Sequence, residues 1–290
     1  MNKGAEITPL TRLKRPFSLT TFSLAAFLAL AIASWSFIIF LDNGDILVLF
    51  STDTWVRVTD FIGKLAGEGT EGRIALFQLE EWARTGKLAY DTLAMSILAI
   101  SFAGVGVLLT FLPAASNIAF GELAPSRSPV WRVLFFTIRG VYMFTRAIPD
   151  LIWAMLIIFF LSPGILAGAL ALGLHNYGIL GKLSAEIVED MDPRPARALR
   201  AAGAGNFQML AYGIMPQVLP KFFTYLLYRW EVVIRTTVVV GFVGAGGLGR
   251  EFRLALSWFH YDEVALLLVW YLLLVIAVDL LCAYLRRLAR

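Results

Sequence analysis

Charge is scarce in this sequence. Of its 290 residues, 16% are charged and 59% are hydrophobic, whereas a soluble domain is about 25% charged and about 45–50% apolar. So few charges cannot cover the surface of a soluble protein of this length. The composition therefore excludes an ordinary soluble enzyme and indicates a protein that crosses a membrane several times.

Cysteine and histidine are also nearly absent. The single Cys282 excludes an internal disulfide and a cysteine-clustered metal site, and His175 and His260 are too few for a multi-histidine centre. The sequence contains no pattern typical of a nucleophile with its base, so we predict no catalytic residue and no metal ligand. The net charge of +4 does not indicate nucleic acid as a partner.

Long apolar runs are what the sequence has in quantity. A membrane-spanning helix needs about 20 mostly apolar residues. The first run is too long for a cleaved signal peptide, whose apolar region is about 7–15 residues. We predict an all-α polytopic membrane protein with about six transmembrane helices, at residues 20–41, 93–112, 132–161, 165–183, 222–243 and 264–281.

Lysine and arginine are distributed unequally between the two sides of this arrangement. They dominate the N-terminal tail, the segment between the fourth and fifth spans, and the C-terminal end, whereas segment 42–88 has eight acids against five bases. Because positive charge stays in the cytoplasm, we expect both termini there. We interpret segment 42–88 as an extracytoplasmic linker with short amphipathic elements, or as a peripheral docking element.

The segment between the fourth and fifth predicted spans, residues 189–220, is called the inter-span segment below. Asp192 and Pro193 predict the start of a short helix over 196–202, and Gly203 fits the position after its end, where the backbone needs positive φ. A second short helix is predicted over 206–214, ending at Pro216. The pattern indicates a compact knob that contacts a soluble partner; an ordinary solvated loop is the alternative.

Here the sequence resembles a known family. Ala198-Leu199, Gly203 and Met215-Pro216 follow the signature of ABC-importer permease subunits, which is glutamate-alanine-alanine, three residues, glycine, and leucine-proline twelve and thirteen residues later. Further stretches resemble the phosphonate, phosphite and hypophosphite branch, over roughly residues 85–285: Arg146–Ala154, Gly164–Leu172, Pro216–Pro220, Tyr228–Glu231 and Gly241–Gly249.

The resemblance implies the methionine-importer-like permease fold, the bacterial inner membrane and a set of partners. These are a dimeric ABC ATP-binding subunit that holds ATP and Mg, a periplasmic substrate-binding protein, and a second permease copy, identical or related. No cofactor is expected in this chain. Residues 1–88 would form the N-terminal tail, first helix and extracytoplasmic segment, and residues 89–285 the permease core. The implied coupling loop to the ATPase includes Arg197, Ala198, Leu199, Gly203, Ala204, Gln208 and Pro216.

One position departs from the family pattern. Arg197 stands where the family has an acid, and in the family this helix seats in a groove of the ATPase. We therefore expect either a partner that differs at the facing position or compensation by Glu186, Glu189 and Asp190.

Charges within the predicted spans are costly in lipid, and they usually pair or face a cavity. Arg146 and Asp150 are four residues apart, as are Glu231 and Arg235, so on an unbroken helix each pair can neutralise itself. The alternative is a translocation pathway lined by these residues and Asn176, in which arginine binds an oxyanion. Arg229 would lie near the cytoplasmic start of its span and reach the interface, so we assign it no role.

Residues 244–249 satisfy the G-x-G-x-x-G pattern. That motif binds dinucleotides only within a βαβ unit, and here it follows an apolar run. We interpret Gly244, Gly246, Gly247 and Gly249 as a helix break, either purely structural or part of a gate.

The sequence thus predicts a permease subunit that translocates phosphonate or a related phosphorus oxyanion by ATP-driven alternating access. Two alternatives remain open: an ABC permease for another solute such as methionine or an amino acid, and an ATP-independent secondary transporter. The chain itself is expected not to be an enzyme.

Overall fold

A computed structural model describes residues 19–40, 46–69, 73–120, 123 and 129–288. The predicted cytoplasmic tail at residues 1–18 and the last two residues lie outside this part of the chain. All regular structure in the described residues is helical. The helices are α1 (Leu19–Phe40), α2 (Thr52–Leu65), α3 (Leu79–Thr110), α4 (Ser116–Ala119), α5 (Pro129–Ala147), α6 (Asp150–Phe160), α7 (Ile165–Glu189), α8 (Arg194–Ala201), α9 (Asn206–Gln208), α10 (Met215–Val240), α11 (Gly247–Ser257) and α12 (Tyr261–Leu288).

Short helical turns complete the secondary structure. Two are 3₁₀ turns at Ile46–Phe50 and Ala75–Phe77, and two are π-helical segments at Met209–Ile214 and Gly241–Ala245. The π-helical segments adjoin the two ends of α10. Irregular backbone therefore lies at both ends of α10.

Three helices of the described residues are long and apolar enough to cross a membrane, namely α1, α3 and α12, and two bent helix pairs bring the number to five. The remaining predicted span, the fourth at residues 165–183, corresponds to α7. It falls outside this group because His175, Asn176 and Lys182 lower its hydropathy. The expectation of an all-helical protein with several apolar helices is confirmed.

The third predicted span, 132–161, is not one helix. Its two parts, α5 and α6, meet at an angle of 96°, and the break falls at Ile148 and Pro149. Proline lacks the backbone N–H that would continue the helical ladder, and it disfavours helical geometry at the residue before it. The bend therefore follows from the sequence.

Two spans are longer than their apolar runs. Helix α3 begins at Leu79, fourteen residues before the predicted start at Leu93, and α10 begins at Met215, seven residues before the predicted start at Phe222. Hydropathy marks the apolar part of a helix but not its polar extension. As a result, residues near a predicted span end can lie at mid-helix.

The chain divides into two compact units, residues 1–62 and 63–290. In the first unit, α1 has no buried residue. In the second, the core centres on α7, whose buried face is rich in small residues such as Ala169 and Ala171. Small side chains let α3, α5, α6 and α10 approach it closely, so these four helices pack around α7.

Candidate functional site

At its first turn, the inter-span segment has the conformation that the sequence predicts. Helix α8 ends at Ala201, and Gly203 has a φ of +86°. The N–H of Ala204 donates to the carbonyl of Leu199 at 3.0 Å, and that of Gly203 donates to Arg200 at 3.0 Å. These bonds satisfy carbonyls at the end of α8, as a glycine cap does. The helix begins at Arg194 rather than at Ala196, and Asp192 accepts a hydrogen bond from the Arg194 N–H at 3.0 Å.

The second predicted short helix is not a separate element. Helix α9 continues through the π-helical segment Met209–Ile214 directly into α10. Pro216 is the second residue of α10 and follows the π-helical segment closely, so its missing N–H falls where the α-helical hydrogen-bond pattern is already interrupted. The sequence predicts that Pro216 ends the second short helix, and this prediction is wrong. Helix α8 packs against the continuous helix that α9, the π-helical segment and α10 form.

Helix α8 packs tightly against this continuous helix, while the outer face of α8 stays in contact with solvent. Ala196 is fully buried, and Gly213 lies so close that an added Cβ would be 3.0 Å from the Ala196 Cα. Phe207 is 79% exposed and Tyr212 is 73% exposed. Phe207 therefore presents a largely uncovered aromatic side chain four residues after Gly203.

Gln208 has a local structural role. Its side-chain oxygen accepts a hydrogen bond from the Gly205 N–H at 3.0 Å, which caps the start of α9. Arg197, Ala198 and Gly203 are exposed, and Leu199 and Ala204 are partly buried. The predicted coupling residues, Pro216 included, are therefore all at least partly exposed.

Two of the acids expected to compensate Arg197 are engaged elsewhere. Glu186 pairs with Lys182 at 3.2 Å, and Glu189 pairs with the Arg139 guanidinium at 2.6 Å. Burial raises the pKa of the Glu189 carboxyl, but hydrogen bonds from Ser116 and Arg139 outweigh it and hold this pKa below its ordinary value. Compensation by Glu186 and Glu189 is therefore wrong.

Asp192 interacts electrostatically with Arg197. A hydrogen bond from Arg194 lowers the pKa of the Asp192 carboxyl, and the charge of Arg197 lowers it further. Helix α8 thus carries three arginines, Arg194, Arg197 and Arg200, and Asp192 pairs with the first of them.

The expected pairing of Glu231 with Arg235 is wrong. Arg235 pairs with Asp279 at 2.7 Å, and Glu231 lies 2.6 Å from the Arg286 guanidinium. Both partners are on α12, so the charges of Glu231 and Arg235 are neutralised across a helix interface. Sequence spacing favours partners on the same helix and gives no information about α12.

The expected pairing of Arg146 with Asp150 is also wrong, because the break between α5 and α6 separates them. Asp150 accepts a hydrogen bond from the Leu151 N–H at 2.9 Å, at the start of α6. Arg146 is exposed in the last turn of α5. The two residues share no helix face.

Arg229 has a partner that the sequence analysis missed. Its Nε and Nη2 donate to the same Asn176 oxygen, at 2.9 and 2.6 Å. The side chain is half-buried and lies at mid-helix because α10 starts earlier than predicted. The missed signal was the polar pair His175 and Asn176 within an apolar run, since a polar side chain in lipid needs a partner.

His175 binds the break in the third span. Its Nδ1 lies 2.9 Å from the carbonyl oxygen of Ile148. A carbonyl only accepts, so Nδ1 carries the proton. The Ile148 carbonyl at the break is thus satisfied by α7. The Thr145 carbonyl, which loses its helical donor at Pro149, accepts a hydrogen bond from Trp153 Nε1 at 3.0 Å.

The glycine cluster is a helix break with close packing. Gly244, Gly246 and Gly247 all have positive φ. An added Cβ at Gly249 would lie 2.0 Å from the carbonyl oxygen of Val238, so only glycine allows α11 to approach α10 here. The residues before the motif are helical, so the dinucleotide interpretation lacks its strand.

Arg84 forms a second charged cluster that the sequence analysis did not find. It pairs with Glu81 of its own helix at 2.8 Å, with Glu251 of α11 at 2.5 Å and with Glu263 of α12 at 3.1 Å. A polar pocket of about 770 Å³ lies beside it, lined by residues that include Lys64, Arg73, His260 and Asp262. One guanidinium thus joins three helices.

Comparison with known proteins decides the family. Residues 129–290 match the model for binding-protein-dependent transport system inner membrane components. The chain belongs to this family of permeases. It is 36% identical to the phosphite transport system permease protein PtxC of Stutzerimonas stutzeri, over 82% of each chain. It is 34% identical to the phosphate-import permease protein PhnE of Mycolicibacterium smegmatis, over 79% of this chain but 42% of that protein.

Solved structures show the same fold. The permease matches an inward-facing methionine ABC transporter, MetNI, with a TM-score of 0.60 and 19% identity, over 71% of this chain and 96% of that one. It also matches a bacterial alginate ABC transporter with a TM-score of 0.55 and 17% identity, over 92% and 96%. The expected ABC-importer permease fold is confirmed.

Proposed function

We propose that this permease imports phosphonate, phosphite or a related small phosphorus oxyanion by ATP-driven alternating access. Two relatives are matched over most of their own length, and their names include phosphite or phosphonate transport. They are 36% and 40% identical to this chain in the matched region. The methionine and alginate transporters share the fold at less than 20% identity, so they do not indicate the substrate.

The observation that carries the coupling mechanism is the exposed surface of the inter-span segment. Helix α8, the Gly203 turn and Phe207 form a small projection, and the π-helical segment joins it rigidly to α10. A separate ATPase dimer that closes on this projection would move α10. ATP and Mg would be bound by that partner, a periplasmic substrate-binding protein would deliver the substrate, and a second permease copy would complete the path.

In this proposal the inter-span segment and both termini face the cytoplasm of a bacterium, and the permease lies in its inner membrane. Positively charged residues of α8 and of the last turn of α12 support this orientation. Arg146, Asp150, Asn176, Glu231 and Arg235 remain predicted pathway residues. The glycine break at residues 244–249 would act at the opposite end of α10 as a gate.

Reconstitution tests this function. The permease, its ATPase and its substrate-binding protein would be placed in proteoliposomes, and uptake of labelled phosphite, methylphosphonate and methionine would be measured with ATP inside or outside the vesicle. We expect uptake of a phosphorus compound only when ATP is available to the ATPase. Uptake of methionine alone would reject the substrate class, and uptake without ATP would indicate a secondary transporter.

A further inference from the structure

Arg229 and Asn176 meet at the middle of their helices. Arg229 is the fifteenth of 26 residues in α10, and Asn176 is the twelfth of 25 in α7. Both helices are long enough to cross the bilayer, and this pair lies well away from the ends of both. An ionisable group within a membrane span is costly and is usually retained for function.

Asn176 holds the guanidinium in a fixed orientation. The amide is 1% exposed, and its Nδ2 donates to the Leu172 carbonyl at 2.7 Å. This bond directs Oδ1 toward Arg229, where it accepts from both Nε and Nη2. One edge of the guanidinium is thereby fixed, and the N–H groups on its other edge remain as donors.

Arg229 differs from Arg235 and Arg286 in the charge of its partner. Arg235 and Arg286 each lie within 2.7 Å of a carboxylate, whereas in the described residues Arg229 is hydrogen-bonded only to a neutral amide. Asp150 is near enough to interact electrostatically but forms no ion pair with it. The positive charge is therefore oriented but not neutralised.

Irregular backbone lies beside this pair. His175, the neighbour of Asn176, binds Ile148 at the 96° break between α5 and α6, and α6 starts at Asp150. Broken helices at membrane depth are tolerated where they line a cavity, and transporter binding sites are commonly built from them. The exposed side chains of Tyr225 and Tyr228 on α10 are close to Arg229 in sequence.

We propose that Arg229 is the residue that contacts the transported anion, with Asn176 as its positioning residue. This inference rests on the proposed function and goes beyond it by naming the site. The free edge of the guanidinium matches two oxygens of a phosphonate or phosphite anion. The nearby Asp150 weakens the attraction, so the anion is held without being trapped.

The test compares variants of the reconstituted complex in ATP-driven uptake of phosphite and methylphosphonate. We expect Arg229→Gln to lower uptake about tenfold or more, because charge-assisted hydrogen bonds are lost, and Arg229→Lys to retain an intermediate rate. Asn176→Asp is the decisive variant, since it places a carboxylate against Arg229 and should lower uptake although the helix contact is kept. Lys221→Gln, which removes an exposed cation from the same helix, is the matched control.

Assembly and ATP hydrolysis separate a transport role from a structural one. Each variant complex is expected to purify intact and to hydrolyse ATP when the substrate-binding protein is added. Normal uptake by Asn176→Asp or Arg229→Gln would overturn the proposal, as would loss of assembly in both Arg229→Gln and Arg229→Lys. If the wild-type complex imports neither phosphorus compound, the proposed function itself is wrong and this site falls with it.

Discussion

Arg235 shows how one residue can be tested for two roles. It pairs with Asp279 of α12, and both side chains are partly exposed. A pathway role and an ion-pair role predict different mutational patterns, because only the first depends on the positive charge alone.

We expect Arg235→Ala to lower ATP-driven uptake severalfold while the complex still assembles, and Asp279→Asn to leave uptake near that of the wild type. The measurement is initial uptake rate in proteoliposomes at equal amounts of assembled complex. Equal losses in both variants would show that the pair only joins α10 to α12. Normal uptake by Arg235→Ala would remove the residue from the pathway.

Individual residues also show what sequence reasoning can establish. The Gly203 cap, the glycine break and the polar pair in α7 follow from local chemistry, and the structure contains all three features. The partners of Arg229, Glu231 and Arg235 do not follow, because each is on another helix. Spacing along the chain reports neighbours on one helix, whereas helix pairing depends on packing across the whole core.

At the scale of elements, breaks and extensions decide where a residue lies. The bend at Pro149 was foreseeable from proline chemistry, although the apolar run continues through it. The early start of α10 was not, because Met215–Lys221 contains two prolines that indicate a loop. Pro216 is tolerated beside the π-helical segment, and Pro220 lies inside the helix.

Variants at Gly203 can distinguish the effect of backbone strain from that of steric contact. A Cβ at this position would have no heavy atom within 4 Å, so a substitution acts through φ or through a partner. We expect Gly203→Val to reduce coupling of ATP hydrolysis to uptake strongly, and Gly203→Asn to reduce it less, since Asn tolerates positive φ and a β-branched residue does not.

The comparison is made as molecules transported per ATP hydrolysed, with expression and assembly as controls. A similar loss in both variants would indicate steric exclusion of the partner rather than strain in the turn. Full coupling in Gly203→Val would contradict the proposed role of the inter-span segment.

At the scale of the whole molecule, the basic surface of α8 determines which ATPase can bind. Glu186 and Glu189 are occupied by Lys182 and Arg139, which favours the alternative that the ATPase differs at the position facing Arg197. We expect the facing position of the ATPase to be acidic. This extends the family departure seen in the sequence to the partner protein.

Arg197→Glu is therefore expected to weaken association of the ATPase, and higher salt is expected to weaken the wild-type complex more than the variant. The dissociation constant at low and high ionic strength provides the measurement, and Arg132→Glu, at an exposed cation in the first turn of α5, is the control. Tighter binding by Arg197→Glu would show that the partner surface is not acidic.

The Arg84 cluster has an unequal tolerance of change. Any one of Glu81, Glu251 and Glu263 can be lost while two acids still share the guanidinium. Loss of Arg84 leaves three carboxylates crowded together and converts attraction into repulsion. We expect each single Glu→Gln variant to lower the melting temperature slightly and Arg84→Gln to lower it more than any of them.

In this cluster each acid is therefore replaceable, whereas the arginine is indispensable. Natural variants should exchange its acids freely and keep its base, and a second mutation that removes an acid should partly rescue the loss of Arg84. The packing of the three helices is then expected to change during evolution only after the arginine itself has been replaced.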